Sequence, residues 1–202
     1  MIDLSCKVPK RVVLACSGGK DSMSALEFLL NGKRDVTVAY YNHGTPHGAE
    51  AEKFLDEVCA AKGLELVREV CSFPPPPGVS KEAYWRVERH KFFQTFEDPV
   101  VTAHHLDDAV EWWIFTALRG NPSLMPIKRS DNKLLKPFLL TRKTELHKHL
   151  RGFEYVQDPS NQDVNYAARN YIRHELSPLC LNVNPGLYKT VKKLYTGTRR
   201  WK

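Results

Sequence analysis

Ser17-Gly18-Gly19-Lys20-Asp21-Ser22 follows the apolar run Arg11-Val12-Val13-Leu14-Ala15-Cys16 and opens an apolar-periodic segment over residues 23–30. The order strand, glycine turn, helix aims several backbone N–H groups and a helix N-terminus at one point, which is an arrangement that binds phosphate. Two glycines let the backbone turn sharply and approach an anion with no Cβ in the way. Ser17 and Ser22 add hydroxyls, and Ser22 is expected to cap the helix. A carboxylate among phosphate donors makes chemical sense when a cation bridges them, so Asp21 is read as a ligand for Mg²⁺. The spacing is not G-x-x-x-x-G-K-[ST], which excludes a Walker P-loop.

Outward from this loop, strands and helices alternate. Residues 35–41 read as a buried strand ending at Asn42-His43-Gly44, residues 48–62 as a helix closed by Gly63, and residues 64–70 as a third strand. A polyproline stretch, Phe73-Pro74-Pro75-Pro76-Pro77-Gly78, reads as a rigid connector rather than a docking motif. Ser80 then caps a helix that places Arg86 and Arg89 one turn apart. The pattern predicts a doubly wound parallel α/β sheet, whose ligands sit at the carboxyl ends of the strands.

A fourth strand, Pro99-Val100-Val101-Thr102-Ala103, feeds a second polar cluster, His104-His105-Leu106-Asp107-Asp108-Ala109-Val110-Glu111. Acids at a helix start complement the helix dipole, but that does not account for the two histidines. Asp108 and Glu111 share a helical face, suited either to Mg²⁺ or to an ammonium group. Residues 141–145 have the spacing of a capping box with Thr141 as cap, leading a helix to about residue 150. A third cluster, Asp158-Pro159-Ser160-Asn161-Gln162-Asp163, precedes a helix bearing Tyr166, Arg169, Asn170, Arg173 and His174.

The composition is that of a soluble globular domain, with 42% apolar and 26% charged residues in a chain of 202. The five scattered cysteines form no C-x-x-C pair, which argues against a disulfide framework or zinc ribbon and for a reducing, cytoplasmic setting. No apolar run approaches a membrane span, and the first residues lack a signal-peptide pattern, so no membrane partner is expected. The net charge of +7 suits a polyanionic partner. Residues 186–202 carry six Lys or Arg and no acid, with Leu187, Val191, Leu194 and Tyr195 on one stripe: a basic amphipathic helical tail beside a main domain of residues 1–185.

Taken together, the three clusters resemble the tRNA(Ile)-lysidine synthases, in particular their catalytic domain. The S-G-G-K-D-S loop is similar to that of all N-type ATP pyrophosphatases. Ala103 to Glu111 with Leu118-Arg119-Gly120 resembles A-H-H-x-D-D-x-x-E…L-R-G, and Asp158 to Arg173 resembles D-P-S-N-x-D…R-N-x-I-R, the more specific motif. The resemblance implies an adenine nucleotide alpha hydrolase-like α/β fold with a small C-terminal helical extension. It also implies ATP and Mg²⁺ as cofactors and a tRNA(Ile) with a CAU anticodon and free L-lysine as partners. In the implied reaction, O2 of the anticodon cytidine attacks the α phosphate of ATP, and the lysine ε-amine then displaces AMP from C2.

Residue by residue, the resemblance puts Ser17, Gly18, Gly19, Lys20, Asp21 and Ser22 on the pyrophosphate and Asp21 on Mg²⁺. It gives the lysine ammonium to Asp108 and Glu111. Phosphoryl and adenylate charge falls to His104, to Arg86 or Arg89, and to Arg169 or Arg173. Two departures stand out: Trp112 where the family has Thr, and Asn121-Pro122-Ser123-Leu124-Met125-Pro126 where a glycine-rich segment is expected. Two alternatives remain open, a tRNA sulfur transferase of the same superfamily and a catalytically degenerate RNA-binding protein.

Overall fold

The computed structural model describes residues 1–197 apart from 72, 130–132, 158, 160–162 and 165–167. Six strands form one sheet: β1 (Arg11–Ala15), β2 (Asp35–Asn42), β3 (Leu66–Val70), β4 (Val100–Thr102), β5 (Lys128–Arg129) and β6 (Leu134–Leu135). Their order is β3-β2-β1-β4-β6-β5. All neighbours are parallel except β5, which runs antiparallel to β6 at the edge. β5 is only two residues long, and Lys128 and Arg129 carry no apolar pattern that would announce a strand.

The alternation of side chains along each strand builds two cores, one on each face of the sheet. Val12 and Leu14 join Val38, Val101 and Leu135 under α1 (Lys20–Asn31) and α2 (Pro46–Lys62). On the opposite face Val13, Ala39, Val100 and Leu134 meet Phe92 and Phe93 of α3 (Lys81–Gln94). The chain lays strands outward from β1 to β3, then returns to place β4 on the other side of β1. The cleft between the carboxyl ends of β1 and β4 is therefore the topological switch point, and Ala15 pairs with Thr102 at its floor.

Among the described residues, five further helices and a π turn complete the fold. They are α4 (Leu106–Leu118), α5 (Lys143–His147), α6 (Ala168–Tyr171), the π-helical turn Ile172–Leu176, α7 (Ser177–Val183) and α8 (Leu187–Gly197). Leu187, Val191 and Tyr195 of α8 lie buried in one core with Leu106, Ala109, Val110 and Ile114 of α4, so α8 is packed against the main fold. No helix among the described residues is long and apolar enough to cross a membrane.

Ends differ from the sequence expectations where side chains have better partners. Thr45, not Gly48, begins α2, accepting the Gly48 N–H at 3.0 Å. Thr141 caps nothing. It is buried, accepts the Asp3 N–H at 2.9 Å and donates to the Asp3 carbonyl at 2.7 Å, so it staples the N-terminal segment instead. Helix α5 begins after Arg142 and ends at His147, earlier than expected.

Candidate active site

The loop from Ser17 to Ser22 leaves β1 at the switch point. Gly18 has φ +74°, and a Cβ there would stand 3.3 Å from Phe54, so the position requires glycine twice over. Its carbonyl accepts the Val156 N–H at 2.9 Å, fixing the loop from the far side. Ser22 does not cap α1: its hydroxyl donates to the Gly19 carbonyl at 2.9 Å and accepts the Ser17 N–H at 3.2 Å, bracing the turn from within. The N-cap is Gly19, and no side chain caps the helix. The N–H groups of the first turn of α1 are thus left for an anion, which fits a phosphate cradle. Lys20, exposed, holds its ammonium 5.4 Å from the Tyr155 ring centroid.

Asp21, in that first turn, is gripped by two imidazoles. His147 Nε2 lies 2.6 Å and His105 Nε2 3.5 Å from its Oδ1. Burial works against the charge, but hydrogen bonds from the two histidines outweigh it and hold this carboxyl far below the ordinary carboxylate range. A single carboxylate facing a phosphate cradle suits Mg²⁺, which commonly takes one or two carboxylates together with substrate phosphates. Among the described residues no group of three or more His, Cys, Asp or Glu is arranged to hold a metal.

The adjacent histidines after β4 behave in opposite ways. His104 shares a 2.8 Å hydrogen bond with Thr102 Oγ1. Burial, with the cations Arg169, Lys136 and Arg89 nearby, outweighs the attraction of Asp108 and pushes its pKa down to about 3. His104 is therefore neutral at physiological pH and has a hydrogen bond to offer, not a charge. His105 is buried as the N-cap of α4, in a reciprocal capping box with Asp108: its N–H donates to Asp108 Oδ2 at 2.9 Å and its Nδ1 lies 3.3 Å from the Asp108 N–H. Burial opposes its charge, yet Asp108, Asp21 and Asp107 together raise its pKa.

Asp108 and Glu111 share a helical face, as their spacing predicts, and that face meets the third cluster. Asp108 Oδ1 accepts from Arg169 at 2.9 Å and from Arg173 at 3.0 Å, and Arg173 Nε donates to Glu111 at 3.1 Å. Burial raises the Asp108 pKa, but His105, His104 and Arg169 outweigh it and bring it to about 2. Both carboxylates are buried, and two guanidinium groups neutralise them. The π turn after Tyr171 breaks the regular helical spacing expected for Asn170, Arg173 and His174, and π turns concentrate at functional sites. Asp158, Ser160, Asn161, Gln162 and Tyr166 lie outside the described residues.

Arg86 and Arg89 separate. Arg86 is exposed, while Arg89 is partly buried with no close ion pair or hydrogen bond among the described residues. Burial and the like charges of Arg169 and Arg86 lower its pKa, which marks an electropositive spot beside the network. Four residues earlier, Trp85 stacks on His43 at the end of β2, ring centroids 4.8 Å apart.

Three side chains with structural weight were not assigned from sequence. Asp107 accepts the Lys143 N–H at 2.8 Å, Arg142 Nε at 3.3 Å and the Tyr188 hydroxyl at 3.1 Å, joining α4 to α5 and α8. Arg142 in turn lies over the Tyr188 ring at 3.3 Å. His147 stands in a short helix whose spacing gives no sign that it reaches α1. Trp112, at the departure from the family pattern, buries an indole N–H with no acceptor among the described residues.

Known proteins similar to this chain give its family. The chain is 34% identical to the tRNA(Ile)-lysidine synthase of Geobacter sulfurreducens, over 87% of this chain and 41% of that one. It is 31% identical to that of Petrotoga mobilis, over 87% and 61% respectively, and 28% identical to that of Legionella pneumophila strain Paris, over 93% and 46%. The chain thus spans about half the length of the curated relatives it matches. Among solved structures, the U34-tRNA thiolase of Methanococcus maripaludis with its [4Fe-4S] cluster superposes with a TM-score of 0.74 at 16% identity, covering 95% of this chain and 72% of that one, a likeness of fold. The family described as PP-loop domain matches residues 3–180, and the chain belongs to it, as an ATP-using domain.

Proposed function

We propose that this chain is the catalytic part of an AMP-forming ligase that joins free lysine to C2 of the anticodon cytidine of a CAU tRNA(Ile), giving lysidine, AMP and pyrophosphate. The observation that carries the reading is the convergence of Asp21, His105, Asp108, Glu111, Arg169 and Arg173 in one continuous polar network at the switch point. The names of the relatives supply the substrate class.

In this reading Ser17 to Ser22 hold the leaving pyrophosphate on backbone N–H groups and hydroxyls, with Lys20 swinging from Tyr155 to the phosphates. Mg²⁺ held by Asp21 would offset phosphate charge during attack at the α phosphate. Arg89, which has no close partner among the described residues, would meet phosphoryl oxygen, and neutral His104 donates or accepts a hydrogen bond there. In the second step the lysine ammonium enters beside Asp108 and Glu111, sharing them with Arg169 and Arg173. It must lose a proton before its nitrogen attacks C2. Asp108 and Glu111 together are assigned to hold the ammonium and to help it lose that proton.

Exposed Lys189 and Lys193, on one face of α8, are proposed as phosphate contacts for the tRNA. Incubating the protein with a CAU tRNA(Ile) transcript, ATP and lysine, then weighing the nucleosides, tests the reading. A lysine-sized mass gain on one cytidine supports it. A sulfur-sized gain assigns the chain to thiolation instead, and unmodified cytidine overturns the ligase reading.

A further inference from the structure

His147 belongs to no motif, yet it makes a 2.6 Å hydrogen bond to a loop residue 126 positions earlier in the chain. It is the last residue of α5, which packs against α1. The start of α5 is fixed from the other direction, by the Lys143 N–H and the Arg142 side chain on Asp107 of α4. His147 thus stands at the end of a short strut running from α4 to the phosphate-binding loop. Its Nε2–H donates to Asp21 Oδ1, the same oxygen that His105 Nε2 approaches at 3.5 Å. Oδ2 of Asp21 makes no hydrogen bond or ion pair among the described residues.

We propose that His147 is a positioning residue that, with His105, pins Asp21 through Oδ1 and so leaves Oδ2 as a single-oxygen ligand for the divalent cation carried by the nucleotide. The inference rests on the reading of the Ser17–Ser22 loop as a Mg²⁺–nucleotide cradle. A carboxylate on a short side chain turns freely about its Cα–Cβ and Cβ–Cγ bonds; two imidazoles converging on one oxygen remove that freedom. Hydrogen bonds to a metal-ligating group are commonly worth roughly 10–100-fold in metal affinity. A simple tether between α5 and α1 predicts something different: lower stability with no selective effect on the metal.

The test is equilibrium binding of AMPPNP to the full chain in Mg²⁺ and in EDTA, comparing wild type, His147→Ala, His147→Leu, His147→Gln and Asp21→Asn. The quantity read is the ratio of the two dissociation constants. Both variants lacking a donor should lose roughly 10-fold or more of that ratio, with metal-free affinity within about twofold of wild type. His147→Gln, which keeps an N–H, should recover part of the loss and guards against a variant that fails to fold. An unchanged ratio in His147→Ala and His147→Leu overturns the inference and leaves the cradle standing. A larger ratio also overturns it, since His147 would then compete with the cation. A ratio of one in wild type, or one that Asp21→Asn leaves unchanged, overturns the cradle reading itself and the inference with it.

Discussion

Asp107 and Asp108 are neighbours in the first turn of α4, yet their carboxylates serve different parts of the molecule. Asp107 gathers Lys143, Arg142 and Tyr188 and ties α4 to α5 and α8. Asp108 turns to the cleft and holds His105, Arg169 and Arg173. Successive helical residues diverge by about 100°, so one adjacent pair can serve frame and site at once.

Asp107→Ala should therefore act on stability. It leaves a part-buried backbone N–H and a part-buried tyrosine hydroxyl without their acceptor, a loss of about 2 kcal/mol. Urea denaturation of the purified protein measures it. Asp108→Asn should cost less stability than this and remove lysine transfer more completely; the reverse order would contradict the division of roles.

Gly18→Ala should fold and bind nucleotide poorly. The left-handed φ of +74° disfavours alanine by about 1 kcal/mol, and the added methyl meets Phe54 at 3.3 Å. The loop must shift to relieve both, which moves the N–H groups of the cradle. Calorimetric titration with AMPPNP and Mg²⁺ should show roughly a tenfold or greater loss of affinity, since 1.4 kcal/mol corresponds to a factor of ten.

His104 and His105 should titrate in opposite directions from the ordinary value near 6.5. With its folded pKa depressed to about 3, His104 favours the fold fully above pH 6.5, and that contribution falls as the pH drops towards 3. His105 is raised, so its contribution is complete below 6.5 and is lost as the pH climbs through the folded value. Imidazole C2–H shifts followed by NMR should stay flat for His104 between pH 8 and 5. A His104 midpoint near 6 would contradict the buried, cation-flanked environment.

The exposed and buried faces of α8 should separate by mutation. Lys189→Glu with Lys193→Glu should leave stability within about 0.5 kcal/mol and weaken tRNA binding, with the log–log salt slope reduced by about two. Val191, fully buried against α4, should cost about 2 kcal/mol when cut to alanine, with the salt slope unchanged. Filter binding over a series of salt concentrations distinguishes the two.

The sheet was legible because β1, β2 and β4 are apolar on both faces, and a parallel sheet covered by helices demands that. The turn from β1 into α1 was legible because paired glycines after a buried strand mark a sharp change of backbone direction. Asp108 and Glu111 were found by helical spacing, and the structure adds that Arg169 and Arg173 already occupy them. His147 and Asp107 escaped because their roles depend on which helices meet, and a local pattern holds no record of that. Thr141 and Ser22 were misassigned for a related reason: a hydroxyl near a helix start serves the nearest unpaired backbone group, and tertiary structure supplied one other than the cap.

The central claim is that the polar network at the switch point adenylates an anticodon cytidine and then accepts lysine. Mass spectrometry of nucleosides from a CAU tRNA(Ile) transcript, treated with this protein, ATP and isotopically labelled lysine, tests it most directly. The account predicts one cytidine heavier by a labelled lysine less one water, absent with Asp21→Ala. Cytidine of unaltered mass, or a gain that lacks the label, would contradict it.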